Sequence, residues 1–374
     1  MQRYNDCRTG QRGPETVTKI VSNYEKRNVL ELAILFGGAS FEHEISIVSA
    51  ITLQEKLDGF DLRFIFCDQD HHFYLIDAQK MKAKTFASGE HKKMPKLALE
   101  KGAFTYKKRF SALKLNMPVL NLIHGGDGED GTVAALLEFY NIPFIGPRPA
   151  ASVLSFDKHY TKWLASSVGI RTVDYEVLDA SSVRDIKTPL PFIIKPARLG
   201  SSIGVSVVRE ESEIDYALDV AFEFDNIILI EPFIEGVKEY NLAGYRANGK
   251  TVYSIIEEPQ KNDFLDFDKK YLDFSRTAAV NEAQLEDETV NALRHAFDKV
   301  YTGLFEGALI RCDFFLVDGQ VCLNEINPIP GSMANYLFDD FEGAVREMLT
   351  DLPVKKSPKV TYQYIHSIHA AKGK

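Results

Sequence analysis

LELAILFGG, Leu30 to Gly38, is where regular structure begins. A short aliphatic run ended by two glycines fits a strand buried on both faces, as in a parallel sheet. The period then changes. Ile45, Val48, Ile51, Leu53 and Leu57 are spaced for one face of a helix. Strands follow at Leu62–Cys67 and Phe73–Ile76, then a Lys-rich stretch without clear pattern over about 79–112. A strand at Pro118–Ile123, a Gly-rich turn at His124–Gly131, a helix at Thr132–Tyr140 and a strand at Pro143–Ile145 complete the unit. Strands alternating with helices predict an α/β fold with a doubly wound parallel sheet.

After Gly146-Pro147 the texture becomes α+β. A helix is expected at Asp157–Val168 and strands at Val173–Leu178, Phe192–Pro196, Val205–Val208 and Ile227–Ile230, with a helix at Glu213–Phe224. From Lys238 strands dominate, broken by a helix near Glu286–Phe305. A hairpin-like block Ala308–Asn327 and a last helix near Leu337–Leu352 follow. Hinges near 147–157 and 232–238 divide the chain into domains at 29–147, 148–236 and 237–356, with a tail over 357–374. Residues 1–28 lack hydrophobic period and are read as an extension, disordered or preceding the native start.

The 374 residues are enough for two or three domains. Apolar residues at 45% and charged residues at 26% exclude disorder as the main state. A net charge of −9 argues against a basic nucleic-acid face. No apolar run approaches the roughly 20 residues that span a bilayer. The polar N-terminus has no export signal, and four scattered cysteines form no CxxC pair, so a cytoplasmic protein with free thiols is expected.

Several clusters could carry chemistry. In Arg311–Pro328, Arg311 and Asp313 share one strand face, and Glu325 and Asn327 share one face of the return strand. Asp318-Gly319 is the turn signal. Asp313 and Glu325 reach a common face only if the loop is odd-length or the hairpin carries a bulge, which we predict. Two carboxylates and an amide oxygen there are hard ligands suited to Mg²⁺. The loop Lys195–Gly204 follows a strand and could lay backbone N–H groups on phosphate, or be a plain hairpin turn. Neither a P-loop nor a dinucleotide fingerprint is present. Ile230–Tyr240, with Glu231 and Glu239, ends a strand at a hinge, either a connector or an adenine and ribose site. Glu42 and Glu44 follow the first strand, as helix-dipole partners or as a carboxylate for a cationic substrate group. His124 opens a second turn at the same sheet edge. Lys269, Lys270 and Tyr271 lie in a polar stretch that reads as a surface loop or a lid.

In order along the chain, FGGASFEHEIS (36–46), HGGDGEDGT (124–132), FDK (156–158), IIKPARLGSSIGVS (193–206), IEPFIEGVKEYN (230–241), KKYLDF (269–274) and RCDFF…LNEINPIPG (311–331) resemble the D-alanine–D-alanine ligases of the ATP-grasp superfamily. The resemblance runs from about Leu30 to about Leu352. It implies an N-terminal substrate domain followed by a two-domain ATP-grasp module, with ATP held between the latter two. It also implies ATP-driven joining of two D-alanines through an acyl phosphate, for peptidoglycan precursors. Asp313, Glu325 and Asn327 would hold two Mg²⁺, with Mn²⁺ able to substitute. Lys158, Lys195 and Lys270 would meet ATP phosphates. Glu231 and Glu239, with the backbone of Phe233 and Ile234, would take adenine and ribose. Glu42 would bind the first D-alanine's ammonium near His124, and Arg311 and the Gly331 N–H would stabilise the oxyanion. Ser201, Glu42 and Tyr271 would close the loop over the site; Tyr at 271 goes with dipeptide formation rather than D-lactate use. One departure stands out. Tyr336 occupies the place of the Ser that usually anchors the second substrate's carboxylate, leaving that role to its hydroxyl, Ser332 or the Leu337 backbone. The rivals are a D-Ala–D-Ser or D-Ala–D-Lac ligase, another carboxylate–amine ligase and a non-catalytic nucleotide-binding module. The family suggests a homodimer.

Overall fold

A computed structural model describes residues 29–108, 111–259, 280, 282–355 and 358–372. Lys270, Tyr271 and the 1–28 extension lie outside these residues.

β1 (Glu31–Gly37) is buried along all but its first residue and pairs in parallel with β2 (Asp61–Cys67). Between them runs α1 (His43–Lys56). β2 turns into β3 (Phe73–Ile76). The Lys-rich stretch supplies three more strands, β4 (Lys96–Glu100), β5 (Ala103–Lys108) and β6 (Ser111–Leu115). β7 (Val119–Asn121) and β8 (Phe144–Ile145) continue the parallel part, with α2 (Thr132–Phe139) crossing between them. The sheet order is β6-β5-β4-β3-β2-β1-β7-β8. Its four-stranded β2-β1-β7-β8 half is the parallel, doubly wound part; the other half is antiparallel. The sequence hid those edge strands because they are short and keep lysines on their wet positions, a pattern that protects sheet edges but shows little hydrophobic period.

The turn after β1 requires glycine. Gly37 has φ +99°, and a Cβ there would lie 2.2 Å from the carbonyl oxygen of Cys67. The buried face of α1 also differs from expectation. Ile45, Ser46, Ile47, Ser49, Ala50 and Leu53 are buried, whereas Val48 and Ile51 are half-buried. The helix is covered on two sides, by its own sheet and by the 3₁₀ segment Gly331–Leu337. Both serines are accommodated by bonding: Ser46 Oγ donates to the Leu122 carbonyl at 2.6 Å and accepts from Gly37 N at 2.8 Å.

The helix expected from Asp157 is preceded by another. α3 (Pro149–Phe156) starts with proline, where its missing N–H costs nothing, and Asp157 then caps α4 (Lys158–Ser167). β9 (Glu176–Asp179), β10 (Phe192–Pro196), β11 (Ser206–Val208) and β12 (Ile227–Pro232) form a second sheet, order β11-β10-β12-β9, covered by α5 (Ile214–Phe222). β13 (Lys238–Ala247), β14 (Lys250–Glu257), β15 (Ile310–Val317) and β16 (Gln320–Asn327) form a third, order β14-β13-β15-β16. α6 (Asp287–Tyr301) packs on it through Leu293, Phe297 and Tyr301. α7 (Phe341–Thr350) buries Phe341, Val345 and Met348 in one continuous core with Leu32, Ile34 and Phe36 of β1. The tail contains an exposed helix, α8 (Gln363–Lys372).

Candidate active site

The β15–β16 hairpin turns through Asp318-Gly319, with Val317 opposite Gln320. A two-residue loop alone would set Asn324 opposite Asp313. A bulge between Asp313 and Phe314 shifts the register, so Asp313 faces Glu325 and Arg311 faces Asn327. The expected bulge is therefore present, and all four side chains reach one face. Arg311 grips Asp313 with two bonds, Nε to Oδ1 at 2.7 Å and Nη2 to Oδ2 at 2.8 Å. Asn327 Nδ2 donates to Asp313 Oδ2 at 3.0 Å. Burial lifts Asp313 to about 7, helped by Glu325 and Glu239 and opposed by Arg311. Glu325 is held below its ordinary value: burial opposes this, but Lys158, Lys195 and Arg311 outweigh it. A buried and a half-buried carboxylate side by side, with an amide on the same face, form an oxygen-donor set that fits a hard divalent cation.

Facing this hairpin is the end of β10. Lys195 Nζ donates to Asn324 Oδ1 at 3.3 Å and to Glu231 Oε2 at 2.7 Å. The bulge residue thus ties the third sheet to the second. Glu231, on β12, is buried and receives Lys162 on its other oxygen at 2.7 Å. Burial alone would raise Glu231; Lys195 and Lys162 together bring it down to about 2. Lys158, first residue of α4, donates Nζ to the Leu199 carbonyl at 2.6 Å. Phe233 and Glu239 follow Glu231 at the junction of β12 and β13, with Ile234 between them.

The third side is the edge of the first sheet. Ser40 Oγ donates to the His124 carbonyl at 2.6 Å and accepts from Glu42 N at 3.1 Å, joining the two Gly-rich turns. Glu42 is buried and accepts from Ser201 Oγ at 2.7 Å. Its carboxyl is pushed up by burial and by Glu129, against Ser201, His124 and Lys158. His124 Nε2 lies 3.1 Å from Ser49 Oγ, which accepts from Ser332 N at 3.0 Å. That bond holds the turn after Gly331, where Ser332, Met333 and Ala334 take φ of 47°, 54° and 49°. Left-handed backbone costs roughly 1–2 kcal/mol per residue, so neighbouring contacts must hold it. Tyr336 OH is 3.5 Å from Arg311 Nη1, and Leu337 is buried.

Residues 31–147 match the family described as D-ala D-ala ligase N-terminus, and residues 164–341 match the D-ala D-ala ligase C-terminus. The chain belongs to the D-alanine–D-alanine ligase family. A D-alanine–D-alanine ligase of Sulfurimonas denitrificans is 63% identical over 345 residues, covering 92% of this chain and 100% of that protein. That of Sulfurovum is 56% identical over 346 residues, again 92% and 100%. The crystal structure of the Helicobacter pylori D-alanine–D-alanine ligase superposes with TM-score 0.78 at 48% identity, covering 87% of this chain and 100% of that one.

In this member of the ligase family, sixteen expected site residues fall on three facing edges; Lys270 and Tyr271 are the two outside the described residues. Sequence reasoning missed Lys162, Ser49 and Asn324. Lys162 carried a usable signal: it sits four residues after Lys158, hence on the same helix face. Ser49 carried only a polar position on an apolar helix face. Asn324 became visible only through its bulge.

Proposed function

We propose that the protein joins two D-alanines to D-alanyl-D-alanine at the expense of ATP, for peptidoglycan precursors. The observation that carries this reading is full-length similarity to D-alanine–D-alanine ligases at 63% identity. The first D-alanine's carboxylate attacks the γ-phosphorus, releasing ADP and forming an acyl phosphate. The second D-alanine's amine attacks the carbonyl carbon, loses a proton and expels phosphate.

Glu42 takes the first ammonium, with His124 beside it. Arg311 and the Gly331 N–H face the oxyanion, because charge developing there needs donors already in place. Lys158, Lys195 and Lys270 gather the phosphates; Glu231, Glu239 and the backbone of Phe233 and Ile234 hold adenine and ribose. Asp313, Glu325 and Asn327 would hold two Mg²⁺, which supply charge neutralisation for the triphosphate. Ser201, Glu42 and Tyr271 close the loop and exclude water, protecting the acyl phosphate from hydrolysis. Tyr336 and the Leu337 backbone take the second substrate's carboxylate. The three units 29–147, 148–236 and 237–356 supply one edge each. None of the described helices is long and apolar enough to cross a membrane, and a cytoplasmic site fits the nucleotide substrate.

Incubation with ATP, Mg²⁺ and D-alanine should yield ADP, phosphate and dipeptide. Offering D-serine and D-lactate as second substrates tests the Tyr336 seat. Nucleotide binding without turnover on any of these would sink the ligase reading.

A further inference from the structure

Lys162 belongs to none of the roles above, yet it is among the most deeply placed charges in the chain. Its side chain is 1% exposed, and Glu231 is 2% exposed. Its ammonium sits 2.7 Å from Glu231 Oε1, and among the described residues that is its one ion pair. It also meets the Val173 carbonyl at 3.4 Å and the Tyr175 ring, whose centroid is 5.2 Å away. Lys195 holds the other oxygen of Glu231 at 2.7 Å but is more open, 12% exposed, and reaches the hairpin through Asn324. Two cations therefore share one carboxylate, and of the two Lys195 also feels Glu325 and Glu239 across the cleft.

The two lysines are not equivalent. Lys162 is buried, and among the described residues Glu231 is its one anionic partner. Lys195 stands at the cleft. We propose that Lys162 is a positioning residue: it is the permanent counter-ion of Glu231, and so lets Lys195 leave Glu231 for a polyphosphate. This rests on the reading that Lys195 meets ATP phosphate. Without Lys162, departure of Lys195 would leave the buried Glu231 carboxylate with no cation beside it, which is strongly unfavourable. Lys195 would then stay locked on Glu231.

The test separates phosphate from base recognition. Lys162→Met should raise the dissociation constant of a non-hydrolysable ATP analogue about 10- to 100-fold. The inhibition constant of adenosine should move less than about threefold. KM for D-alanine should stay constant, and Lys162→Arg, which keeps the charge, should recover most of the triphosphate affinity. A role confined to shaping the adenine pocket would weaken adenosine and analogue alike, and that result, or no loss at all, overturns the proposal. The wild type gives a reading that needs no stable variant: with lysine side-chain nitrogens labelled, the analogue should shift Lys195 Nζ and leave Lys162 Nζ in place. A shift of Lys162 instead also overturns it. If the wild type binds no ATP, the underlying ATP-site reading has failed, an outcome distinct from either.

Discussion

Ser201 Oγ donates a 2.7 Å hydrogen bond to Glu42 Oε1, fastening the loop after β10 to the turn after β1. Ser201 itself sits at φ +55°, in the left-handed region. The bond aims a buried carboxylate whose charged form burial disfavours. A hydrogen bond to a charged group contributes roughly 1.5–3 kcal/mol. Ser201→Ala should therefore raise KM for D-alanine about tenfold or more, with KM for ATP changed little. Steady-state kinetics with each substrate varied in turn checks it.

Glu325 lies opposite Asp313 and is one of the three proposed metal ligands. Glu325→Gln keeps shape and strand pairing but removes a negative charge. Turnover should fall by about three orders of magnitude while the melting temperature holds. Near-normal turnover would mean the metal face lies elsewhere.

Asp313 titrates near 7 where an ordinary Asp titrates near 3.8. Below 7 it is protonated and a poor metal ligand. The Mg²⁺ concentration for half-maximal activity should therefore rise as pH falls from 8 to 6, approaching tenfold per unit at the acid end. The sign for stability is opposite. Between the two values the folded chain binds the extra proton, so this group makes the metal-free protein less stable as pH rises towards 7. Thermal melts at pH 6 and 8, with and without Mg²⁺, check both signs.

Gly37→Ala would force a Cβ to within 2.2 Å of the Cys67 carbonyl oxygen at φ +99°. Both the clash and the backbone conformation oppose the change, so a loss of about 3 kcal/mol or more is expected. Denaturant melts measure it directly.

The first parallel strands were readable because burial on both faces writes a continuous apolar run, as in β1. β4–β6 were not, because one wet face and several lysines dilute the period. The hairpin face of Asp313 and Glu325 was predictable by parity alone: a two-residue turn and an even residue sum require a bulge. Which residue would bulge, and that Asn324 would then reach Lys195, depends on a neighbouring sheet far away in sequence. Lys162 shows the same boundary. Its helix face could be read, but its partner Glu231 is brought there only by tertiary folding.

The core shared by β1, α1 and α7 has a consequence in time. Gly59 N–H is received by Glu342, a partner 283 residues further along the chain. Arg346 returns a bond to the Gly59 carbonyl at 2.9 Å. During synthesis the first sheet therefore emerges with one side of α1 bare, and it stays bare until almost the whole chain has left the ribosome. Exposed apolar surface of this kind invites aggregation. A nascent chain halted before α7 should depend on chaperones far more than the finished protein does.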